Sequence, residues 1–250
     1  MTKLVGDGPD PWTVLRRYTA ARVGLGRAGD GVPTGRLLEF EIAHAQARDA
    51  VHTPVDFAPI RAQLGGLDTI DVRSAAADRA TYLRRPDLGR RLDAHCDTLP
   101  ATGEPGRYDA AFVIADGLSA RAVHDHAAEM LRAVLDRLDG WRIAPVVLAT
   151  QARVALGDEI GQRLGAALVV VLIGERPGLS AADSLGIYLT AAPKVGRGDH
   201  ERNCISNVHP PGGLSYALAA EKLSHLMTEA RRLGITGVGL KDDLPTLPQQ

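Results

Sequence analysis

Glu175 is the residue whose type and position most favour ligand chemistry. It lies in the sequence G-E-R-P-G, directly after the apolar run A-L-V-V-V-L-I, which predicts a buried strand. Gly174 allows a close backbone approach, and Pro177 and Gly178 fix a turn. A carboxylate on so stiff a turn has little conformational entropy left to lose, so it could accept hydrogen bonds from a ligand at small cost. The simpler interpretation, in which Glu175 and Arg176 only solubilise a loop, stays open.

The elements around Glu175 alternate between strand and helix. Strands that are apolar on both faces and separated by helices are typical of an α/β fold with a parallel sheet and right-handed crossovers. The predicted strands are residues 110–114, 145–150, 166–173, 184–191 and 203–207. The predicted helices begin at Ser119, Asp158 and about Ser215, and the last of them stops at Gly234.

Three loops should meet at one rim of this sheet. Open parallel sheets bind ligands beyond the carboxyl ends of their strands, where the loops diverge and helix N-termini present unpaired N–H groups. The loops in question are residues 115–119, 150–157 and 174–180. We therefore expect Glu175 to lie on the same side of the molecule as the loop of residues 150–157, with a concavity between them.

The first hundred residues have a different pattern, which is mainly helical. Thr34 is expected to cap a helix with Leu38, Ile42 and Ala45 on one face, and an earlier helix and a later one are expected to begin at Asp10–Pro11 and at Pro86. The short alternating segment 68–74 is the exception. Residues 101–107 are turn formers. We divide the chain into a mainly helical region, 1–104, and an α/β domain, 105–250.

The composition limits the classes of function. The 250 residues are 45% hydrophobic, which is enough for a substantial core. With 29 basic and 30 acidic residues, no global charge favours nucleic acid or anionic membranes. The amino end lacks the apolar core of a signal peptide, and no segment has the length of a membrane span. Cys96 and Cys204 lie far apart, which argues against a zinc module and suits a reducing cytoplasm. We expect a cytoplasmic protein.

Several motifs fail in their context. Gly24, Gly26 and Gly29 have the spacing G-x-G-x-x-G, but they follow a helical pattern rather than a strand. His124 and His126 resemble a metal-binding pair, yet residues two apart on a helix point in different directions, so we expect both at the surface. No nucleophile elbow, H-E-x-x-H sequence or Walker lysine loop occurs. We assign no metal ligand and no catalytic residue.

Five sequence blocks identify a family. They are T-A-A-R-V-G-L-G-R-A-G, Y-L-R-R-P-D-L-G-R-R-L, D-G-L-S, I-G-E-R-P-G-L and R-N-C-I-S-N-V-H-P, and they occur in this order over most of the chain. Together they resemble the small (light) subunit of ethanolamine ammonia-lyase. The resemblance implies a Rossmann-like cobalamin-binding domain in residues 105–250. It also implies adenosylcobalamin-dependent conversion of ethanolamine to acetaldehyde and ammonia, by a radical mechanism, in a complex with a large subunit that forms a barrel.

The resemblance also implies three cofactor contacts, carried over by motif to Val154, Glu175 and Cys204. Glu175 could accept a hydrogen bond from an amide arm of the corrin, Val154 could pack on the ring or the nucleotide tail, and Cys204 could fill space beside them. None of the three is given a proton-transfer role. Taken alone, Cys204 would be a small buried side chain. The segment D-A-H-C-D-T lacks the glycine of D-x-H-x-x-G, which agrees with the family, where the cofactor's own benzimidazole remains on cobalt.

The partner and the location follow from the same resemblance. Residues that bind the amino alcohol should belong to the large subunit, because this chain does not provide an eight-stranded barrel. Residues 1–104 should contribute contacts to the partner and part of the contacts to the cofactor. Either the free cytoplasm or a bacterial microcompartment is compatible with the sequence. Two other functions stay open, a nucleotide-dependent oxidoreductase and a noncatalytic binding module.

Overall fold

The fold is known from a computed structural model that describes residues 12–19 and 21–244. The helix start expected at Asp10 and Pro11 lies outside the described residues. The helices are α1 Trp12–Leu15, α2 Thr34–His52, α3 Phe57–Gln63, α4 Arg79–Arg84, α5 Ala120–Leu135, α6 Leu156–Leu164 and α7 Tyr216–Leu233. The strands are β1 Thr69–Arg73, β2 Tyr108–Ala115, β3 Val146–Thr150, β4 Ala166–Gly174, β5 Leu185–Ala191 and β6 Arg202–Val208.

One six-stranded sheet organises the protein, with the strand order β1-β3-β2-β4-β5-β6. The first four strands of this order are parallel, as expected for strands joined through helices. Strands β5 and β6 are antiparallel to their neighbours, so the prediction of a parallel sheet is wrong for them. The reason is the connection after β4: residues 175–184 contain no helix, and a parallel return needs a crossover of a dozen or more residues. The fold is therefore α/β with a mixed sheet.

Both faces of the sheet are covered, because alternate residues of the central strands point to opposite sides. Phe112 of β2 belongs to the core cluster that includes residues of α3, α5 and α7, and its neighbour Val113 belongs to the cluster that includes residues of α6. Both side chains are almost completely buried. Burial of an aromatic or branched side chain of this kind contributes about 1.5–3 kcal/mol. Two apolar layers thus fix the sheet whose strand ends carry the loops of interest.

Side-chain caps and left-handed glycines set the limits of the covering helices. Ser119 and Ser215 are the N-caps of α5 and α7, and their hydroxyls accept the backbone N–H groups of Ala122 and Leu218. Helix α7 ends at Gly234, which has φ +71°. The predicted beginnings of these two helices and the predicted stop of α7 are confirmed.

The N-terminal region joins the sheet through β1, which lies in the non-helical segment 68–74. Strand β1 pairs in parallel with β3 along its whole length. Helix α2 is confirmed, but Thr34 is its first residue and not a side-chain cap. Leu38, Ile42 and Ala45 are exposed, and only small residues such as Ala43 and Ala50 are buried. Pro86 does not begin a helix: α4 ends before it at Arg84, and a short 3₁₀ turn follows. None of the described helices is both long and apolar enough to cross a membrane.

Candidate functional site

The loops after β2 and β4 touch each other at the rim of the sheet. The backbone N–H of Leu118 donates to the carbonyl oxygen of Gly174 at 2.8 Å. A Cβ atom on Gly174 would lie 2.1 Å from the carbonyl oxygen of Ser119, and one on Gly117 would lie 2.2 Å from that of Gly174. No side chain fits in either place. Glycine is therefore required at position 174, where the sequence predicts a close approach of the backbone, and also at position 117. Glu175 is the next residue after this contact.

Glu175 is positioned by two neighbouring strands. Its Oε2 accepts the hydroxyl of Ser184 at 2.5 Å and the backbone N–H of Asn207 at 3.3 Å. Its Oε1 accepts the hydroxyl of Ser206 at 2.5 Å. A carboxylate has about four acceptor positions, so one direction of hydrogen bonding stays available for a ligand. The half-buried Glu175 is thus a fixed acceptor rather than a solubilising loop residue.

Val154 lines the same cavity as Glu175. This cavity of about 400 Å³ is lined by both residues and by Tyr82, Gly174 and Tyr188. A second cavity, of about 230 Å³, shares Val154 and Tyr188 with the first and is also lined by Cys204. The two cavities together bring the three residues implied by the family to one concave surface, which we call the rim cleft.

Tyr188 and Cys204 stand directly opposite each other in the β5–β6 ladder. Cys204 is exposed, so its interpretation as a small buried side chain is wrong. Protein atoms packed around the sulfur still raise the pKa of the Cys204 thiol. The hydrogen bond with Tyr188 lowers this pKa, and the negative charge of Glu175 raises it. Burial is also the main cause of the raised pKa of Tyr188. Both groups are therefore neutral at physiological pH, and neither is an activated nucleophile or base.

A stack of three side chains beside the rim cleft, two of which line it, was not found from the sequence. The guanidinium groups of Arg79 and Arg153 lie 4.9 and 4.3 Å from the centre of the Tyr82 ring. Tyr82 is completely buried, and its hydroxyl donates to the carbonyl oxygen of Ala152 at 3.0 Å. Burial raises the pKa of its phenol. The stack thus supports the loop that carries Val154.

Asp116 connects this stack to the β2 loop. Its Oδ1 accepts the backbone N–H of Ala152 at 2.9 Å, and its Oδ2 lies 3.3 Å from a guanidinium nitrogen of Arg79. Burial raises the pKa of this carboxyl, and Arg79 acts against that shift. Arg79 also donates to the carbonyl oxygen of Gly117 at 2.9 Å. One buried network therefore aligns the loops after β2 and β3.

The histidines of α5 do not form a pair, and one of them is not at the surface. His124 Nε2 lies 3.0 Å from backbone atoms of Asp56, whereas His126 is buried and its Nδ1 lies 2.6 Å from the hydroxyl of Tyr216. The expectation that both are surface residues is wrong for His126, because α7 and the β4–β5 loop cover it. Its spacing of three from Val123 and four from Met130 was the available signal of burial.

Comparison with known proteins agrees with the five sequence blocks. Residues 9–241 match the family described as ethanolamine ammonia-lyase light chain. The ethanolamine ammonia-lyase small subunit of Pseudomonas syringae pv. tomato is 56% identical over 241 residues, which cover 94% of this chain and 84% of that protein. The small subunit of Ralstonia nicotianae is 56% identical, over 93% of this chain and 88% of its own length. The small subunit of Azotobacter vinelandii is also 56% identical, over 94% and 89%. The chain therefore belongs to the ethanolamine ammonia-lyase light chain family.

Proposed function

We propose that this chain is the cobalamin-binding subunit of an ethanolamine ammonia-lyase and that Val154, Glu175 and Cys204 contact the cofactor in the rim cleft. One observation carries the proposal. The three residues come from loops or strands far apart in the sequence, yet they line two cavities that share Val154 and Tyr188.

The chemistry of the rim cleft fits a corrin. Val154 and the half-buried ring of Tyr188 offer apolar surface to a flat macrocycle, and the fixed carboxylate of Glu175 offers an acceptor to a neutral amide arm. A cavity of about 400 Å³ is near the small end of those that enclose a drug-sized ligand, so it would cover only part of a cobalamin. The remainder would be covered by the large subunit.

The residues of this chain would bind and orient rather than react. When bound, adenosylcobalamin supplies the radical chemistry that converts ethanolamine to acetaldehyde and ammonia. Glu175 would fix the rotation of the corrin through one amide arm, and Val154 and Tyr188 would exclude water from its edge. Cys204 would fill space as a neutral thiol, in agreement with its raised pKa.

The surface of α2 supports a contact with the large subunit. Leu37, Leu38, Phe40 and Ile42 are each at least 41% exposed on this one helix, which is an unusual density of apolar side chains for a solvated helix. We assign this exposed apolar surface to the subunit interface.

Co-expression with the large subunit tests the proposal. The expected result is a stable complex that binds adenosylcobalamin and deaminates ethanolamine. Glu175→Ala should weaken cofactor retention and leave assembly intact, while Glu221→Ala, at an exposed position of α7 outside the rim cleft, serves as the matched control. Thermal stabilisation by NAD without binding of cobalamin would instead favour the nucleotide-dependent oxidoreductase, and a complex that binds neither would favour the noncatalytic module.

A further inference from the structure

His126 has an unpartnered nitrogen in a polar, acidic environment. Its side chain is 7% exposed, and among the described residues its Nε2 makes no hydrogen bond. Burial of such a nitrogen without a partner is costly, so the position calls for a ligand. Asp183 Oδ2 lies 3.5 Å from this nitrogen. Asp125, His126 and Asp183 each offer one ligand atom, and these three atoms lie within 4.8 Å of one another.

A protonated histidine paired with an aspartate accounts poorly for this spacing. Charge-assisted N–H···O hydrogen bonds are typically about 2.7–2.9 Å long. The surface pair His225 and Asp243 shows that distance, 2.7 Å. At His126, by contrast, Asp183 Oδ2 lies 3.5 Å from Nε2. Two ligand atoms of a tetrahedral ion with bonds near 2.1 Å are about 3.4 Å apart, which is close to this distance.

The second nitrogen of His126 has the partner that a metal ligand needs. Nδ1 lies 2.6 Å from the hydroxyl oxygen of Tyr216, and an Nδ1–H that donates to this oxygen leaves the lone pair of Nε2 free for an ion. Three carboxylates, those of Glu129, Asp125 and Asp183, also lie close enough to interact electrostatically with Tyr216. The local field therefore favours a cation.

We propose that His126, Asp125 and Asp183 bind one divalent transition-metal ion, with one imidazole nitrogen and two carboxylate oxygens as protein ligands and Tyr216 orienting the imidazole. This donor set suits Zn²⁺ or Mn²⁺. Asp125 is 45% exposed and lies 3.3 Å from Arg121 Nε, which is itself exposed, so its carboxylate can turn from this arginine to the ion.

Such an ion would fasten the loop of residues 175–184 to α5. Asp183 is next to Ser184, whose hydroxyl donates to Glu175, and Ser119 already donates to the carbonyl oxygen of Ala182 at 2.6 Å. The ion would add a further attachment between α5 and the same end of the loop. The metal site is independent of the proposed cobalamin function, because its ligands lie outside the rim cleft.

Zinc binding by the full 250-residue chain tests the site. After treatment with EDTA and dialysis, equilibrium dialysis against ZnCl₂ should give one saturable equivalent per chain and a rise in melting temperature. His126→Gln and Asp183→Asn should each weaken this binding at least tenfold, and Tyr216→Phe should weaken it about 10–100-fold through the lost orienting contact. His225→Ala and Cys204→Ser are the controls and should keep the full equivalent.

Circular dichroism of the metal-free variants shows whether each is folded. If His126→Gln does not fold, Asp183→Asn and Tyr216→Phe still decide the outcome. Absence of a saturable equivalent in the unchanged chain, or binding of unchanged strength in Asp183→Asn or His126→Gln, would overturn the proposal. Loss of zinc in the His225→Ala or Cys204→Ser control alone would overturn it as well, by placing the ion elsewhere.

Discussion

The guanidinium of Arg202 forms two hydrogen bonds with the carboxylate of Asp158, at 2.6 and 2.8 Å, and both side chains are 2% exposed. This pair joins helix α6 to strand β6, the strand that also carries Cys204. Thr190 and the carbonyl oxygen of Arg197 accept further hydrogen bonds from the same guanidinium. A buried charge pair of this kind is costly to form but more costly to break on one side.

We predict that Asp158→Ala lowers the free energy of unfolding by about 3–5 kcal/mol, because it leaves the charge of Arg202 buried without its partner. Urea denaturation followed by circular dichroism measures the change. The exposed pair of Arg85 and Asp87 offers a matched control, since Asp87→Ala removes an ion pair of 2.7 Å whose two side chains are more than half exposed. Equal effects of the two substitutions would contradict the prediction.

The contact between Gly117 and Gly174 leads to a second prediction. Gly117→Ala should cost about 1–3 kcal/mol more than Gly140→Ala. Both glycines have a left-handed backbone, with φ +58° and +73°, so the strain on φ is matched. Only at Gly117 does the added Cβ meet an atom within 4 Å, the nearest at 2.2 Å. Thermal unfolding of the two variants should show the difference, and similar melting temperatures would argue against a tight rim.

The central elements could be predicted from the sequence because their signals are local. The apolar runs of β2, β3 and β4 and the serine caps of α5 and α7 are set by neighbouring residues, and all were found. The direction of β5 and β6 was not, because an apolar run predicts burial and not orientation. The exposed face of α2 is a second example. The apolar spacing around Leu38 and Ile42 predicts a helix, but it does not predict whether another part of the same chain buries that face.

The residues of the candidate site also fall into those that local sequence predicts and those that it does not. Glu175 and Val154 could be assigned to one rim because each follows a strand of the parallel part of the sheet. The stack of Arg79, Tyr82 and Arg153 could not be predicted, since Tyr82 and Arg153 are 71 positions apart and meet only after the sheet has formed. His126 was misplaced for a related reason, because its cover comes from Asp183 and Tyr216, far along the chain.

Asp109 should make stability depend on acid pH. The side chain of Arg142 is the first cause of the lowered pKa of Asp109, with further contributions from the Arg142 backbone and from Arg231. A carboxyl group whose pKa is lower in the folded state than in the unfolded state stabilises the fold at any pH above its ordinary pKa of 3.8. This stabilisation is lost as the pH falls through the pKa of the folded state. Asp109→Asn should therefore cost about 1–2 kcal/mol at pH 7 and progressively less below about pH 4.

Melting temperatures of the unchanged chain and of Asp109→Asn between pH 3 and pH 8 provide the measurement. The two curves should be separated at neutral pH and converge in acid. Asp139→Asn, at an exposed position, is the control and should follow the unchanged chain throughout. A constant separation at every pH would show that the carboxylate charge of Asp109 is not responsible.

The exposed apolar surface of α2 should be required for assembly and not for folding. Phe40 and Ile42 are 41% and 59% exposed in this chain, so Phe40→Glu and Ile42→Glu should leave its melting temperature almost unchanged. If the large subunit covers them, each substitution would bury an unpaired charge and weaken the complex at least tenfold, as measured by co-purification and ultracentrifugation. Arg48→Glu, at an exposed position on the same helix, controls for added negative charge. Equal losses in all three variants would argue against an apolar interface.

Ser184 should affect cofactor retention without touching the cofactor. The buried hydroxyl of Ser184 donates to Glu175 at 2.5 Å, and Ser184→Ala leaves the carboxylate with its bonds from Ser206 and Asn207. Loss of one hydrogen bond to a charged group should weaken cobalamin binding by the complex by about 1–2 kcal/mol, or about five- to thirtyfold in Kd. Ser224→Ala, which removes a hydroxyl that donates to the backbone carbonyl oxygen of Glu221 on α7, is the control for loss of a serine hydroxyl elsewhere. Absorbance titration of the complexes with adenosylcobalamin gives both constants. Unchanged affinity in Ser184→Ala together with a large loss in Glu175→Ala would show that Glu175 needs no positioning by Ser184.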